Sequence, residues 1–187
     1  MNIGILAIQG DYAAHAAALN RLGASHTFVR TPSDLAGVDG VILPGGESTT
    51  HLRVLKEEGL FDGLKDFAAK GGALFGTCAG AILLATAVAN SPQASLGLMD
   101  MQVERNAYGR QLDSRIAHLN PQGMDGGLEA VFIRAPIIRR VGKDAKVLAS
   151  YEGDPVLVEQ GRHLAATFHP ELTDDARVHL MFLEKIP

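Results

Sequence analysis

Between the apolar run Ala73-Leu74-Phe75 and the helix-forming stretch Ala81-Ile82-Leu83-Leu84-Ala85 lies Gly76-Thr77-Cys78-Ala79-Gly80. This is the Gly-x-Cys-x-Gly pattern of a strand that turns abruptly into a helix and lifts one side chain clear of the sheet. Glycines flank the turn because no Cβ fits so tight a bend. A thiol held there gains twice: the N-terminal end of the helix favours its thiolate, and the next backbone N–H can point at an oxyanion. A lone cysteine is more often a small buried hydrophobe, so the pentapeptide needs partners before it can carry acyl-transfer chemistry.

The segments on either side set the fold class. Ile3–Ile8 reads as a buried strand, and Asp11 as the cap of an alanine-rich helix that closes at Gly23. Ser25–Arg30 and Asp39–Leu43 are the next strands, with a helical turn after Thr31-Pro32. Thr49–Glu58 and Leu60–Ala69 read as helices, the second ended by Gly71-Gly72. Short apolar strands alternating with amphipathic helices imply an α/β fold with a mainly parallel central sheet flanked by helices on both faces. Residues 101–160 change character. Strands with polar alternation, among them Lys146–Tyr151 and Val156–Gln160, the latter joined to His163–Phe168 by Gly161-Arg162, predict antiparallel additions. Asp174–Glu184 is a closing helix capped by Thr173 or Asp174. No linker divides the chain, so residues 1–187 are expected to form a single domain.

The partners for Cys78 stand far downstream. His169 follows Leu164-Ala165-Ala166-Thr167-Phe168, at the end of a strand, and Pro170-Glu171 come next. A cysteine nucleophile needs a base, and the base needs a carboxylate that holds its tautomer; Cys78, His169 and Glu171 fill those roles. A third element is Val41-Ile42-Leu43-Pro44-Gly45-Gly46-Glu47-Ser48. Its paired glycines allow the Gly46 N–H to face a substrate carbonyl and complete an oxyanion hole with Ala79. The plainer reading, a strand-to-helix loop with Ser48 or Thr49 as N-cap, is compatible with that role.

Composition narrows the class. With 187 residues, 47% hydrophobic and 20% charged, the chain can bury a substantial core. Its net charge of −4 argues against nucleic acid as the main partner. A single cysteine excludes an internal disulfide and suits the cytoplasm, where the thiol stays reduced. Met1-Asn2-Ile3-Gly4 enters a strand at once, so no signal segment is expected, and no apolar run approaches the roughly 20 residues of a membrane span.

Taken together, these motifs resemble the triad, or class I, glutamine amidotransferases, whose sheet is flavodoxin-like. Within them the chain is similar to the glutaminase subunits of pyridoxal 5′-phosphate synthase. That narrower likeness rests on Ile5-Leu6-Ala7-Ile8-Gln9-Gly10-Asp11, Pro44-Gly45-Gly46-Glu47-Ser48-Thr49-Thr50, Phe132-Ile133-Arg134-Ala135-Pro136, and the long stretch Val103-Glu104-Arg105-Asn106-Ala107-Tyr108-Gly109-Arg110-Gln111. The elbow and His-Pro-Glu are shared by many amidotransferases; the stretches around Glu47 and Arg105 are far more specific.

The resemblance implies hydrolysis of L-glutamine through a γ-glutamyl thioester on Cys78. It assigns glutamine binding to Gly46, Glu47, Ser48, Arg105, Ile133 and Arg134, and a guanidinium fork at Arg105 suits the α-carboxylate. It implies no cofactor and no metal in this subunit. The partner would be a (β/α)8-barrel synthase subunit that receives ammonia through a channel, in a complex of twelve synthase and twelve glutaminase chains, with the glutaminase active only when docked. The likeness departs at Glu184-Lys185-Ile186-Pro187, which lacks the family's usual polar tail; no catalytic residue lies there.

Two rival classes remain. An amidotransferase subunit for imidazole glycerol phosphate synthesis, or another cysteine hydrolase, would not be expected to carry the Arg105 and Glu47 stretches. A regulator that had lost the chemistry would be expected to lack one of Cys78, His169 or Glu171. His15, His26, His51, His118, His163 and His179 show no metal-ligand spacing and read as surface or helix-face histidines. Met99 and Met101 read as core or interface filler, and Arg110, Arg139 and Arg140 as solvated charge or a partner patch. Gly45-Gly46-Glu47 lacks the lysine of a phosphate loop.

Overall fold

The computed structural model describes residues 1–90, 93–105 and 114–187. The first strand, β1 (Asn2–Leu6), is apolar on both faces, which suits the interior of a parallel sheet. It lies between β2 (Ser25–Val29) and β3 (Gly40–Leu43), parallel to both. The next neighbours are β4 (Ala73–Thr77) and β12 (His163–Ala166), also parallel. Two antiparallel strands, β11 (Asp154–Gln160) and β10 (Lys146–Tyr151), complete a sheet of order β10-β11-β12-β4-β3-β1-β2. The turn joining β11 and β12 is the expected Gly161-Arg162, with Gly161 at φ 55°.

Strand residues alternate between two apolar layers. Ile3, Ile5, Ile42, Phe75, Leu164 and Ala166 face α1 (Tyr12–Arg21) and α5 (Arg177–Leu183), with the hairpin β7 (Ser114–Leu119) and β8 (Leu128–Ile133) in the same layer. Leu6, Val41, Leu43, Leu74 and Ala165 face α2 (Ser48–Glu57), α3 (Leu60–Ala69) and α4 (Ala79–Leu84). Beyond them lies a smaller sheet of β5 (Ala85–Ala89), β6 (Met99–Glu104) and β9 (Ile137–Val141), where Met99 and Met101 are fully buried. The α/β architecture with antiparallel additions is therefore as the sequence pattern implied. Among the described residues no helix is long and apolar enough to cross a membrane.

Several local expectations are corrected. The closing helix begins at Arg177, not Asp174, and neither Thr173 nor Asp174 caps it. Asp175 instead takes the Arg177 guanidinium, and Pro170–Leu172 forms a 3-10 turn. Asp11 sits at the N-terminus of α1 without a capping side-chain bond. The elbow helix stops at Leu84 because Ala85 already pairs with Met99 in β5. Arg139 pairs with Glu104 and Asp154, and Arg140 with Asp100, so neither is a bare cationic patch. Arg110 lies outside the described residues, as does the motif from Asn106 to Gln111.

Candidate active site

Three motifs distant in sequence meet because their strands are adjacent and parallel. Ala166 of β12 is level with Thr77 of β4, and Leu43 of β3 is level with Gly76. All three chains therefore emerge at the same carboxyl edge of the sheet, where such folds place ligands. Cys78 N–H donates to Ala166 O at 2.9 Å, and His169 N–H donates to Val131 O at 2.8 Å, which ties the elbow and the His-Pro-Glu turn to their surroundings.

Cys78 itself has φ 48° and ψ −104°, a conformation that costs an L-residue energy and persists only where its surroundings enforce it. Its neighbours explain the glycines. A Cβ at Gly80 would stand 1.9 Å from the Leu43 carbonyl oxygen, and one at Gly76 would stand 2.5 Å from Gly80 itself. The helix thus packs directly on β3 through bare backbone. Gly45 serves the site in the same way: a Cβ there would lie 2.5 Å from His169 Cε1 and 3.4 Å from Cys78 Cβ. That residue is the floor on which nucleophile and imidazole both rest.

His169 Nδ1 lies 2.8 Å from Glu171 Oε1, with the Glu171 side chain fully buried. A carboxylate oxygen accepts only, so Nδ1 carries the proton and Nε2 is turned away from the carboxylate. Burial of His169 disfavours its charged form, but hydrogen bonding and charge from Cys78 and Glu171 outweigh it and push the imidazole up to about 10. The protonated form of His169 is therefore favoured beside the Cys78 sulfur. Cys78 Sγ is 4.0 Å from the Ile133 carbonyl oxygen.

A cavity of about 220 Å³ opens over Cys78 and His169. Its wall includes Gly46, Glu47, Ser48, Ala79, Arg105, Ile133 and Arg134. Every residue expected to bind substrate or an oxyanion is thus gathered there, with Glu171 behind His169. Gly10, Asp11, Ile82 and Pro136 also line it and were given no site role from the sequence. Asp11, His169 and Glu171 bring ligand-type atoms within 4.8 Å of one another. His169 and Glu171 are already hydrogen-bonded, so we read this grouping as part of the polar site, not as a cation site.

The cap of α2 differs from expectation. Neither Ser48 nor Thr49 caps it; the Glu47 carboxylate does, accepting from Thr49 N at 3.1 Å and Thr50 N at 2.8 Å and from both threonine hydroxyls. Glu47 also takes Arg105 Nη2 at 3.1 Å, which ties two residues of the cavity wall together. Burial pushes the Glu47 carboxyl up, yet the bonds from Thr49 and Thr50 together bring it from 4.5 down to about 2. This cap is therefore present in full above pH 4.5 and lost as pH falls toward 2. Glu47→Ala is expected to cost about 1 kcal/mol at pH 7, a difference that closes near pH 2; urea unfolding at the two pH values checks it.

Of the histidines read as surface or helix-face residues, His15, His51 and His179 do lie on helices, but on their fully buried faces. His51 Nε2 lies 3.2 Å from the Gln9 carbonyl oxygen, so it donates, and its ring fills the space beneath Gly46. His118 is exposed, while His26 and His163 are half-buried. The signal that was available lay in spacing: His15 precedes Leu19 and His179 precedes Leu183 by four residues, on the apolar stripes of α1 and α5.

The model of the SNO glutamine amidotransferase family matches residues 5–187. The chain belongs to that family. This amidotransferase is 59% identical to the pyridoxal 5′-phosphate synthase subunit PdxT of Solibacter usitatus, over 98% of each chain. It is 54% identical to the PdxT subunit of Deinococcus radiodurans, over 98% of this chain and 96% of that one. A crystal structure of a glutamine amidotransferase, 48% identical, superposes with a TM-score of 0.93 over 98% of this chain and 97% of its own.

Proposed function

We propose that residues 1–187 form one glutaminase domain, the subunit of a pyridoxal 5′-phosphate synthase that hydrolyses L-glutamine to L-glutamate and ammonia. The observation that carries this reading is the meeting of Cys78, on a strained elbow, with the His169–Glu171 pair in one cavity edged by Arg105.

Each residue then has a task. The Cys78 thiolate attacks the side-chain carboxamide carbon, and the N–H groups of Gly46 and Ala79 receive the oxyanion; losing one such donor costs about 3–4 kcal/mol of barrier. The C–N bond breaks as the imidazolium of His169 gives its proton to the departing nitrogen, leaving ammonia and a γ-glutamyl thioester. Water then passes a proton to the neutral His169 while its oxygen attacks the thioester, and the Cys78 thiolate leaves with glutamate released. Glu171 holds Nδ1–H throughout, so Nε2 faces the reacting atoms in both steps. Arg105 and Arg134 take the α-carboxylate of glutamine, with the backbone of Glu47, Ser48 and Ile133 holding the rest of the substrate.

Ammonia released to water at neutral pH is mostly protonated and no longer nucleophilic, so a productive amidotransferase needs a sheltered acceptor site. The acceptor is a (β/α)8-barrel synthase subunit, assembled with this chain as twelve and twelve in the cytoplasm; the names of the PdxT relatives support that pairing. A glutaminase assay tests the whole. Glutamate release is expected to rise about 10²-fold or more when the synthase subunit is added, since docking can set a misdirected oxyanion donor. No glutamine hydrolysis with or without that subunit would overturn the reading.

A further inference from the structure

The Glu171 carboxylate is buried completely, yet only one of its oxygens is spent on His169. Among the described residues the other, Oε2, has no well-aligned hydrogen bond; a polar atom set against it is His15 Nε2, at 3.5 Å, from a ring that is itself fully buried. An unpaired buried carboxylate oxygen is costly, so the identity of that neighbour matters. His15 Nε2 is also 3.2 Å from Thr77 Oγ1, the residue before the nucleophile, and His15 Nδ1 is 2.9 Å from His179 Nε2.

Two proton arrangements are conceivable along this row. In one, His15 Nε2 is bare and its lone pair faces the anionic oxygen. In the other, Nε2 carries the proton, Thr77 Oγ1 and Glu171 Oε2 share it, and Nδ1 accepts from His179 Nε2–H. The first sets a lone pair against a carboxylate in a site without water access; the second satisfies both. The second also leaves His179 Nδ1, which has no partner, as a bare acceptor and not as a stranded buried donor. Phe75 packs edge-on against both rings, at centroid distances of 6.3 Å and 5.8 Å, and holds them in place.

We propose that His15 and His179 are positioning residues for glutamine hydrolysis: His15 steadies Glu171 through its outer oxygen, and His179 holds His15 in the tautomer that allows it. The row runs from α5 through α1 to the turn that carries His169 and Glu171, so two helices that add no residue to the cavity wall orient the base. Both rings are suited to a neutral, fixed role. Burial, then His179 and His169, holds His15 well below the usual imidazole range, and burial, then Arg21, brings His179 down to about 4.

This inference rests on the triad reading above, and its test separates the two. In the reconstituted glutaminase–synthase complex, His15→Leu removes the donor, while His15→Gln keeps an amide N–H at a similar reach. Expected is a fall in kcat of about ten- to a hundredfold for His15→Leu, the range seen when partners behind a functional histidine are removed at metal sites. KM for glutamine and association with the synthase subunit should stay within about twofold, and His15→Gln should recover most of the rate. Should the leucine variant not fold, His15→Met against His15→Gln makes the same comparison at matched shape. Nitrogen-15 spectra of the unmodified chain read the tautomers directly: a protonated Nε2 is expected on both His15 and His179. A His15 protonated at Nδ1, or equal rates for the variants with and without a donor, would overturn the proposal. Failure of the triad reading would show differently, as a complex in which His169→Asn still hydrolyses glutamine.

Discussion

Cys78→Ala is expected to lower glutamate release by about 10⁴-fold or more, the scale on which nucleophile loss acts in triad enzymes. The residue has no understudy, because it is the only cysteine in the chain. Its side chain is held over the cavity by an elbow that no neighbouring residue can imitate. Alanine removes one sulfur and keeps the Cβ that rests on Gly45, so the fold and the association with a synthase subunit should survive. The measurement is glutamate release in the complex, with binding followed separately. An electrophilic glutamine analogue should add its mass at Cys78 in the unmodified chain and nowhere in the variant. Labelling at another residue, or ammonia formed by the variant at the original rate, would remove the nucleophile assignment.

Glu171→Gln should be nearly as damaging, with kcat down by about 10⁴-fold, as when the carboxylate of a related triad becomes an amide. The change keeps size and shape, so the loss is one of charge and proton placement. An amide can turn its NH2 toward His169, which then presents a proton on the wrong nitrogen. Both the hydrogen bond and the charge of Glu171 push the His169 imidazole up against the effect of burial. Their removal must therefore bring it down, and the imidazolium that protonates the leaving nitrogen becomes scarce at neutral pH. Proton spectra of the His169 ring across pH give the direction. An unmoved His169 titration together with a lost rate would place the role of Glu171 elsewhere than behind His169.

Much of this site was legible before any coordinates because its chemistry depends on local devices. A nucleophile elbow is a turn, and a turn writes itself into adjacent residues: Gly76 and Gly80 have no alternative where Leu43 O and the helix backbone approach so closely. His169, Pro170 and Glu171 are three consecutive residues, so their mutual geometry is largely covalent. Helix α3 and strand β10 fall where the sequence puts them; α3 is bounded by Gly59 and Gly71-Gly72, and Gly153 follows β10 closely. The cap of α2 was misread because Ser48 and Thr49 are stronger capping residues in general than glutamate. Here Glu47 lies one position earlier, with its longer side chain folded back over two N–H groups.

From the sequence alone came the α/β order, the elbow and the His-Pro-Glu turn, each of which depends on spacing within a few residues or on a period the chain repeats. The residues proposed to bind glutamine came from the family resemblance. Tertiary structure alone decided which of those segments meet, and what stands behind them. Cys78 and His169 share a cavity because β4 and β12 are parallel neighbours, a pairing that no local pattern announces. The three buried histidines show the difference most plainly. A histidine on an apolar helix stripe can face solvent at an edge, fill a core or hold a carboxylate. His15 and His179, separated by 164 residues, became hydrogen-bond partners beside Glu171 only because α1 and α5 pack on the same face of the sheet. Burial then makes the placement of their protons matter, because a buried polar group needs a partner.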